Sequence, residues 1–300
     1  LNNIVLEETM AIKVRLSAIQ PPFPDDVIRN ADMLSVAYEL TDKAGQMKSD
    51  IALLPELINT YEVIDVDIME MAAPERVQAL KNQYASLAKK HNMYIILPVG
   101  EARQDGLYNS AILIGRDGEE IGRYDKTHIS QPEVLLYPQI KAGDSLPTFD
   151  LDFGRIGIMT CYDCSFPEVA LIYALKGAEV LFYPRWQSGP SEIFFEIQMR
   201  SRALDHAMFL VSSSFGVRDG VPWKPGMLFG RSCVIGRDGT ILSDAGHETG
   251  IASRVVDLEK QWFIECLDAS HGEGLIKEYR QLIHQDRRPE LYKAICGLVE

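Results

Sequence analysis

Three side chains in this sequence have types and settings suited to acyl-transfer chemistry: Cys161, Glu56 and Lys126. Cys161 lies within DFGRIGIMTCYDCSFPE (152–168), where Ile156, Ile158 and Met159 make a short apolar strand and the chain then turns toward a helix. Ser165 and Glu168 have the S-x-x-E form of a capping box, so that helix is expected to open at Ser165 and to run through Val169, Ile172 and Leu175 to Gly177. A cysteine on such a turn sits near backbone N–H groups and the positive end of a helix dipole, which favour the nucleophilic thiolate. Two blander readings compete. Cys161 could be a small apolar residue filling a strand end, or Cys161 and Cys164 could form a C-x-x-C redox pair or half of a zinc site. Zinc needs a second close pair, yet Cys233, Cys266 and Cys296 stand singly and the histidines form no H-x3–5-H pair.

Attack by a thiol needs a base for its proton and donors for the oxyanion that forms. Glu56 ends the apolar run Asp50-Ile-Ala-Leu-Leu-Pro55, where partial burial on the rim of a sheet would raise its pKa; it is the first candidate for the base. Lys126 leaves a predicted hairpin strand and could hold an oxyanion as a cation. His128 is the rival base, ranked second because no Asn or Asp is evidently placed to orient it.

The elements that must position these groups alternate. A strand at 12–18, a helix through Val27, Ala31, Leu34 and Tyr38, a strand at 51–55, a helix opened by Pro74 and a strand at 93–99 give a β-α-β-α-β order. A hairpin follows at 108–124 with an Asp-Gly turn, then a loop to about Pro147. The order recurs after Cys161, with a strand at 179–184, a helix from Ser191, a strand at 209–213 and a hairpin at 229–244. Ile114-Gly-Arg-Asp-Gly118 and Ile235-Gly-Arg-Asp-Gly239 are identical, which suggests two similar halves. Two mixed sheets, each needing cover on both faces, can stack sheet on sheet with helices outside: an α/β fold, a four-layer α-β-β-α sandwich with two pseudo-symmetric halves. A last strand is expected at 251–256, then helical stretches and a polar arm, 285–292, of the kind that crosses a dimer.

At 300 residues and 46% hydrophobic content the chain can bury a large core. The net charge of −13 argues against a nucleic-acid surface, no apolar run is long enough to span a membrane, and the five cysteines fit reduced thiols. A cytoplasmic location is expected. Met10 begins the first patterned segment, so one domain is assigned to 10–292, with 1–9 as an N-terminal extension and 293–300 as a C-terminal tail.

The segments LLPE ending at Glu56, YDKTH around Lys126 and GRIGIMTCYDCSFPE around Cys161 resemble, in order, the three signature blocks of the nitrilase superfamily, the carbon–nitrogen hydrolases. The resemblance extends to Lys176-Gly-Ala-Glu-Val-Leu-Phe-Tyr-Pro, Arg202-Ala-Leu-Asp-His, Gly230-Arg-Ser-Cys and Arg287-Arg-Pro-Glu-Leu-Tyr, covering about 12–292. It implies a Glu-Lys-Cys triad without metal or cofactor, in a homodimer or higher homo-oligomer. Cys161 would be the nucleophile and Glu56 the base, while Lys126 and the Tyr162 backbone N–H would bind the oxyanion. Many members carry a second glutamate after the lysine block; Glu133 is the candidate here, although Leu136 stands nearer the usual place, and Ala142 replaces the proline common before the Gly143-Asp144 pair. The substrate expected is a small-molecule amide or N-carbamoyl compound, with a nitrile as the alternative. Tyr61, Tyr162, Arg185 and Trp186 are the candidate pocket residues, Arg185 as a partner for a substrate carboxylate. Outside this class stand a non-catalytic scaffold of the same fold and a dithiol oxidoreductase.

Overall fold

The structure, a computed structural model, describes residues 11–23, 27–60, 68–186, 192–217, 230–260, 263–267, 274–292 and 295. Two compact units divide the chain, Met10–Leu258 and a second from Glu259–Glu300 with Leu1–Thr9, so the domain expected over 10–292 spans both.

The first unit opens with β1 (Lys13–Gln20), α1 (Val27–Gln46), β2 (Ile51–Leu53), α2 (Ile68–Met71), α3 (Pro74–His91), β3 (Tyr94–Arg103), β4 (Gly106–Ile114) and β5 (Glu120–Asp125). Next come α4 (Gln131–Leu136), β6 (Ile140–Lys141), β7 (Thr148–Leu151), β8 (Gly154–Ile158), α5 (Pro167–Leu175), β9 (Val180–Pro184), α6 (Glu192–His206), β10 (Phe209–Ser213), β11 (Cys233–Ile235), β12 (Ile241–Asp244) and β13 (Gly250–Asp257). The second unit holds β14 (Phe263–Leu267), β15 (Gly274–Glu278) and α7 (Tyr279–Gln285). There β14 and β15 pair antiparallel where helix was expected; Phe263 and Ile264 are good strand formers, and the helical reading holds only for α7.

Local chemistry explains the boundaries. α3 starts at Pro74, whose missing N–H costs nothing in a first turn, and stops at Asn92 in the left-handed conformation after Lys89, Lys90 and His91, which complement the dipole. Both Ile-Gly-Arg-Asp-Gly copies fold the same way. Gly118 and Gly239 take φ of 78° and 74°, Asp117 and Asp238 accept the N–H two residues on at 3.0 Å, and a register shift precedes each turn. A side chain at either glycine would be strained at that φ.

The sheets repeat as well. One runs β13-β1-β2-β3-β4-β5 with β6 on β4, and the other runs β12-β11-β10-β9-β8-β7. β1, β2 and β3 are parallel and continue into the antiparallel β4 and β5; β8, β9 and β10 are parallel and continue into β11 and β12. Alternate residues on these strands face different cores. Leu16, Leu53, Ile96, Ile158, Phe182 and Val211 meet between the sheets. Ala52, Ile95 and Leu97 pack under α1 and α3, while Leu181, Tyr183 and Leu210 pack under α5 and α6. This is the expected four-layer α-β-β-α sandwich, and its strand ends carry the candidate residues.

Because Phe182 is fully buried between the two sheets, Phe182→Ala should lower stability by about 3–5 kcal/mol, read from urea unfolding monitored by circular dichroism. A loss below about 1 kcal/mol would mean the sheets do not share that core.

Candidate active site

Glu56 is carried past the end of β2 by a segment that tracks β3. Leu54 N–H donates to Ile96 O and Ile58 N–H to Pro98 O, each at 3.1 Å. Asn59 then brackets Gly100, donating from Nδ2 to its carbonyl at 2.9 Å and accepting its N–H at 2.8 Å. Lys126 follows β5, its N–H donating to Asn109 O and its carbonyl accepting from Gly143 N–H, both at 2.9 Å. A Cβ at Gly143 would lie 2.3 Å from Asp125 O, so only glycine lets the chain close on the lysine strand here.

The expected loop after Lys126 contains α4, opened by a capping box that sequence reasoning missed, although Ser130-Gln-Pro-Glu133 has the S-x-x-E form with proline in the first turn. Glu133 Oε2 accepts from Ser130 N–H at 2.9 Å and from Ser130 Oγ at 2.7 Å. The same box aims the carboxylate at Lys126, whose Nζ lies 2.8 Å from both Glu133 oxygens and 2.9 Å from Glu56 Oε1. Leu136 is half exposed at the pocket wall and takes no part in this cluster. Asn109, also missed, donates from Nδ2 to Glu56 Oε1 at 2.8 Å and to Glu133 Oε1 at 3.3 Å. Its only signal was a polar residue inside the apolar run of β4.

Cys161 begins a tight 3-10 turn, Cys161–Ser165, with φ of +45°, sterically costly for any residue with a Cβ. Ser165 therefore does not cap the helix; α5 starts at Pro167. What closes the turn is Asp163, a residue the sequence did not single out. Its carboxylate accepts from Thr160 N–H at 2.7 Å, Tyr124 OH at 2.6 Å, His128 N–H at 3.0 Å and Thr127 Oγ1 at 3.2 Å, with His128 Nδ1 at 2.8 Å. His128 thus does have an orienting aspartate, but its ring is taken up by that bond and by a stack on Phe166 at 4.0 Å, and it does not line the cavity that Glu56 and Cys161 share. Asp163 ties the lysine strand to the cysteine turn across the two sheets.

The electrostatics correct one expectation. Burial pushes the Cys161 thiol well above its ordinary range, the Glu56 charge adds to this, and Lys126 only partly offsets it. Cys161 Sγ lies 2.8 Å from Trp186 O, to which it can donate. Burial also raises Glu56, against the pull of Lys126 and the Trp186 N–H donated to Oε2 at 2.7 Å. For Glu133 burial acts upward too, but the Lys126 charge and the Ser130 donors outweigh it and the group falls below the usual carboxylate range. Burial works against charge on Lys126, but Glu56, Cys161 and Glu133 together hold its pKa above the ordinary lysine value.

These groups form one end of a cavity of about 350 Å³ whose walls include Leu57, Tyr137, Tyr162, Trp186, Phe194 and Phe195. Of the expected pocket residues, Tyr162 and Trp186 line it. Arg185 does not. It is buried at 2% exposure, with Nε donating to Ser212 Oγ at 2.8 Å and a terminal nitrogen to Gly230 O at 2.8 Å, because the alternation after β9 turns it inward. Tyr61 lies outside the described residues. Cys164 is buried against α6, its carbonyl accepting from Arg202 at 3.0 and 3.1 Å.

The family model for carbon–nitrogen hydrolases matches residues 15–261. The chain belongs to the carbon–nitrogen hydrolase family. Among the relatives of this carbon–nitrogen hydrolase, a probable nitrilase of Schizosaccharomyces pombe is 30% identical over 292 residues, covering 95% of this chain and 100% of the relative. The omega-amidase NIT2 of Mus musculus is 30% identical over 244 residues, covering 77% and 84%. The fold matches the crystal structure of a Helicobacter pylori carbon–nitrogen hydrolase with a TM-score of 0.75 at 23% identity, covering 94% of this chain and 98% of that one.

Since the Glu56 charge disfavours the thiolate, Glu56→Gln should lower the Cys161 pKa, read as thiolate ultraviolet absorbance against pH with Cys161→Ala as the blank. A pKa that rises or stays put would place the carboxylate outside the thiol's field.

Proposed function

We propose that this carbon–nitrogen hydrolase cleaves the amide or N-carbamoyl bond of a small molecule through a thioester on Cys161. The observation that carries this reading is geometric: Glu56 and Glu133 share the buried Lys126 at the end of a cavity that Cys161 also lines. A thiol whose ionisation is opposed by burial needs a general base at the moment of attack, and a carboxylate whose pKa burial raises is suited to take the proton and return it.

In this scheme Cys161 Sγ attacks the carbonyl carbon as its proton passes to Glu56. The oxyanion is held by Lys126 Nζ and the Tyr162 backbone N–H. The C–N bond breaks as Glu56 delivers the proton to the leaving nitrogen, releasing ammonia or an amine. Water then attacks the thioester, again losing a proton to Glu56, and the acid departs as the thiol re-forms. Glu133 keeps Lys126 charged and fixed throughout. Both named relatives fit chemistry of this kind, one by a nitrile-directed name and one by an amide-directed name. The amide is favoured because it uses every step of the scheme.

The test is ammonia release over primary amides, N-carbamoyl amino acids and nitriles, with mass spectrometry for an acyl adduct on Cys161. Amides or N-carbamoyl compounds should turn over; Cys161→Ala should abolish this, Lys126→Ala should reduce kcat by ~10²-fold or more, and Cys164→Ser should leave it largely intact. Neither ammonia nor adduct from any class would favour a non-catalytic scaffold, and a loss in Cys164→Ser equal to that in Cys161→Ala would favour dithiol chemistry.

A further inference from the structure

Asn109 is an uncharged member of the buried cluster that the reaction scheme leaves unused. Its side chain is 1% exposed on β4, its carbonyl takes the Lys126 N–H at 2.9 Å, and its amide nitrogen spans the two carboxylates, at 2.8 Å to Glu56 and 3.3 Å to Glu133. Its place is fixed from the other side as well. It pairs across the sheet with Gly100, and Gly100 is the residue bracketed by Asn59, three positions after Glu56.

Lysine alone cannot set the spacing of two carboxylates, because an ammonium is a compact charge with rotatable donors. A primary amide is different: it offers two N–H bonds at a fixed angle in one plane. We propose that Asn109 is a positioning residue that holds Glu56 and Glu133 side by side on Lys126 and keeps Glu56 in one orientation toward Cys161. This rests on the reading of Glu56 as the base. The charged groups that face the Asn109 amide are Glu56 after β2 and Glu133 on α4, both held by Lys126 after β5, and Cys161 on the turn after β8 lines the same cavity as these three. Donation from Asn109 stabilises the ionised carboxylates, so its loss should move the protonation of the cluster to higher pH.

Two variants test this. Asn109→Asp keeps the shape and removes both donors; Asn109→Ser leaves a hydroxyl too short to reach both carboxylates. In each, with fold verified by thermal unfolding, kcat should fall about tenfold or more while KM changes by less than about threefold. The acid limb of the pH–rate profile should move upward, further for Asp because it adds a third carboxylate. The same limb can be read without turnover, from the rate at which iodoacetamide alkylates Cys161 across pH. An acid limb that stays at its wild-type position in a folded variant overturns the proposal whatever the loss in kcat, since a packing defect slows a reaction without moving a titration. A shifted alkylation limb in a protein that hydrolyses no amide would support the positioning role and count against the hydrolase reading instead.

Discussion

A single ammonium held between two carboxylates, away from water, is the constraint around which this structure is arranged. Lys126 is 1% exposed and Glu56 2%, and two carboxyl groups share the one ammonium. Moving such charges out of water costs several kcal/mol per ion unless nearly every lone pair and proton finds a partner. The partners come from separate parts of the chain: Ser130 at a helix cap, Trp186 by its backbone N–H, and Asn109 by its amide. Each of these segments must be in register for the cluster to be tolerated. The two sheets and their shared core hold them there.

The cysteine is bound to this arrangement through charge and through covalent geometry. Its turn is strained at +45°, and the strain is borne by the Asp163 network, which joins Thr160, just after β8 of one sheet, to Tyr124 on β5 of the other and to Thr127 and His128 just after it. In the proposed scheme a cysteine whose ionisation is opposed by burial becomes reactive only when a substrate brings its carbonyl and Glu56 together.

Much of this was legible in the sequence. The alternation of apolar runs gave the strand and helix order, and the duplicated Ile-Gly-Arg-Asp-Gly pointed to a repeated frame because an Asp-Gly turn enforces one local geometry. Glu56 stood out because it follows an apolar strand and a proline, where the rim of a sheet partly buries a carboxylate and raises its pKa. Less visible were Asn109 and Asp163, whose partners lie far along the chain, so no local pattern marks them. Arg185 was misjudged for a related reason: which way a residue points after a strand depends on the register of the sheet, and Ser212 and Gly230 decide it only once the strands are assembled.

That register gives the repeat a further meaning. β2 and β9 hold corresponding places in their sheets, and each leads to a proline and then a charged residue: Leu54-Pro55-Glu56 after β2, and Pro184, the last residue of β9, then Arg185. The first charge faces the cavity and the thiol; the second is absorbed as a brace between Ser212 and the carbonyls of Gly230 and Arg231. A doubled scaffold thus offers two matching strand ends, of which the first, among the described residues, turns its charged residue to the proposed reaction chamber. The half that lends its cysteine to that chamber has its own equivalent corner free to become mortar, and the molecule's symmetry ends where its chemistry begins.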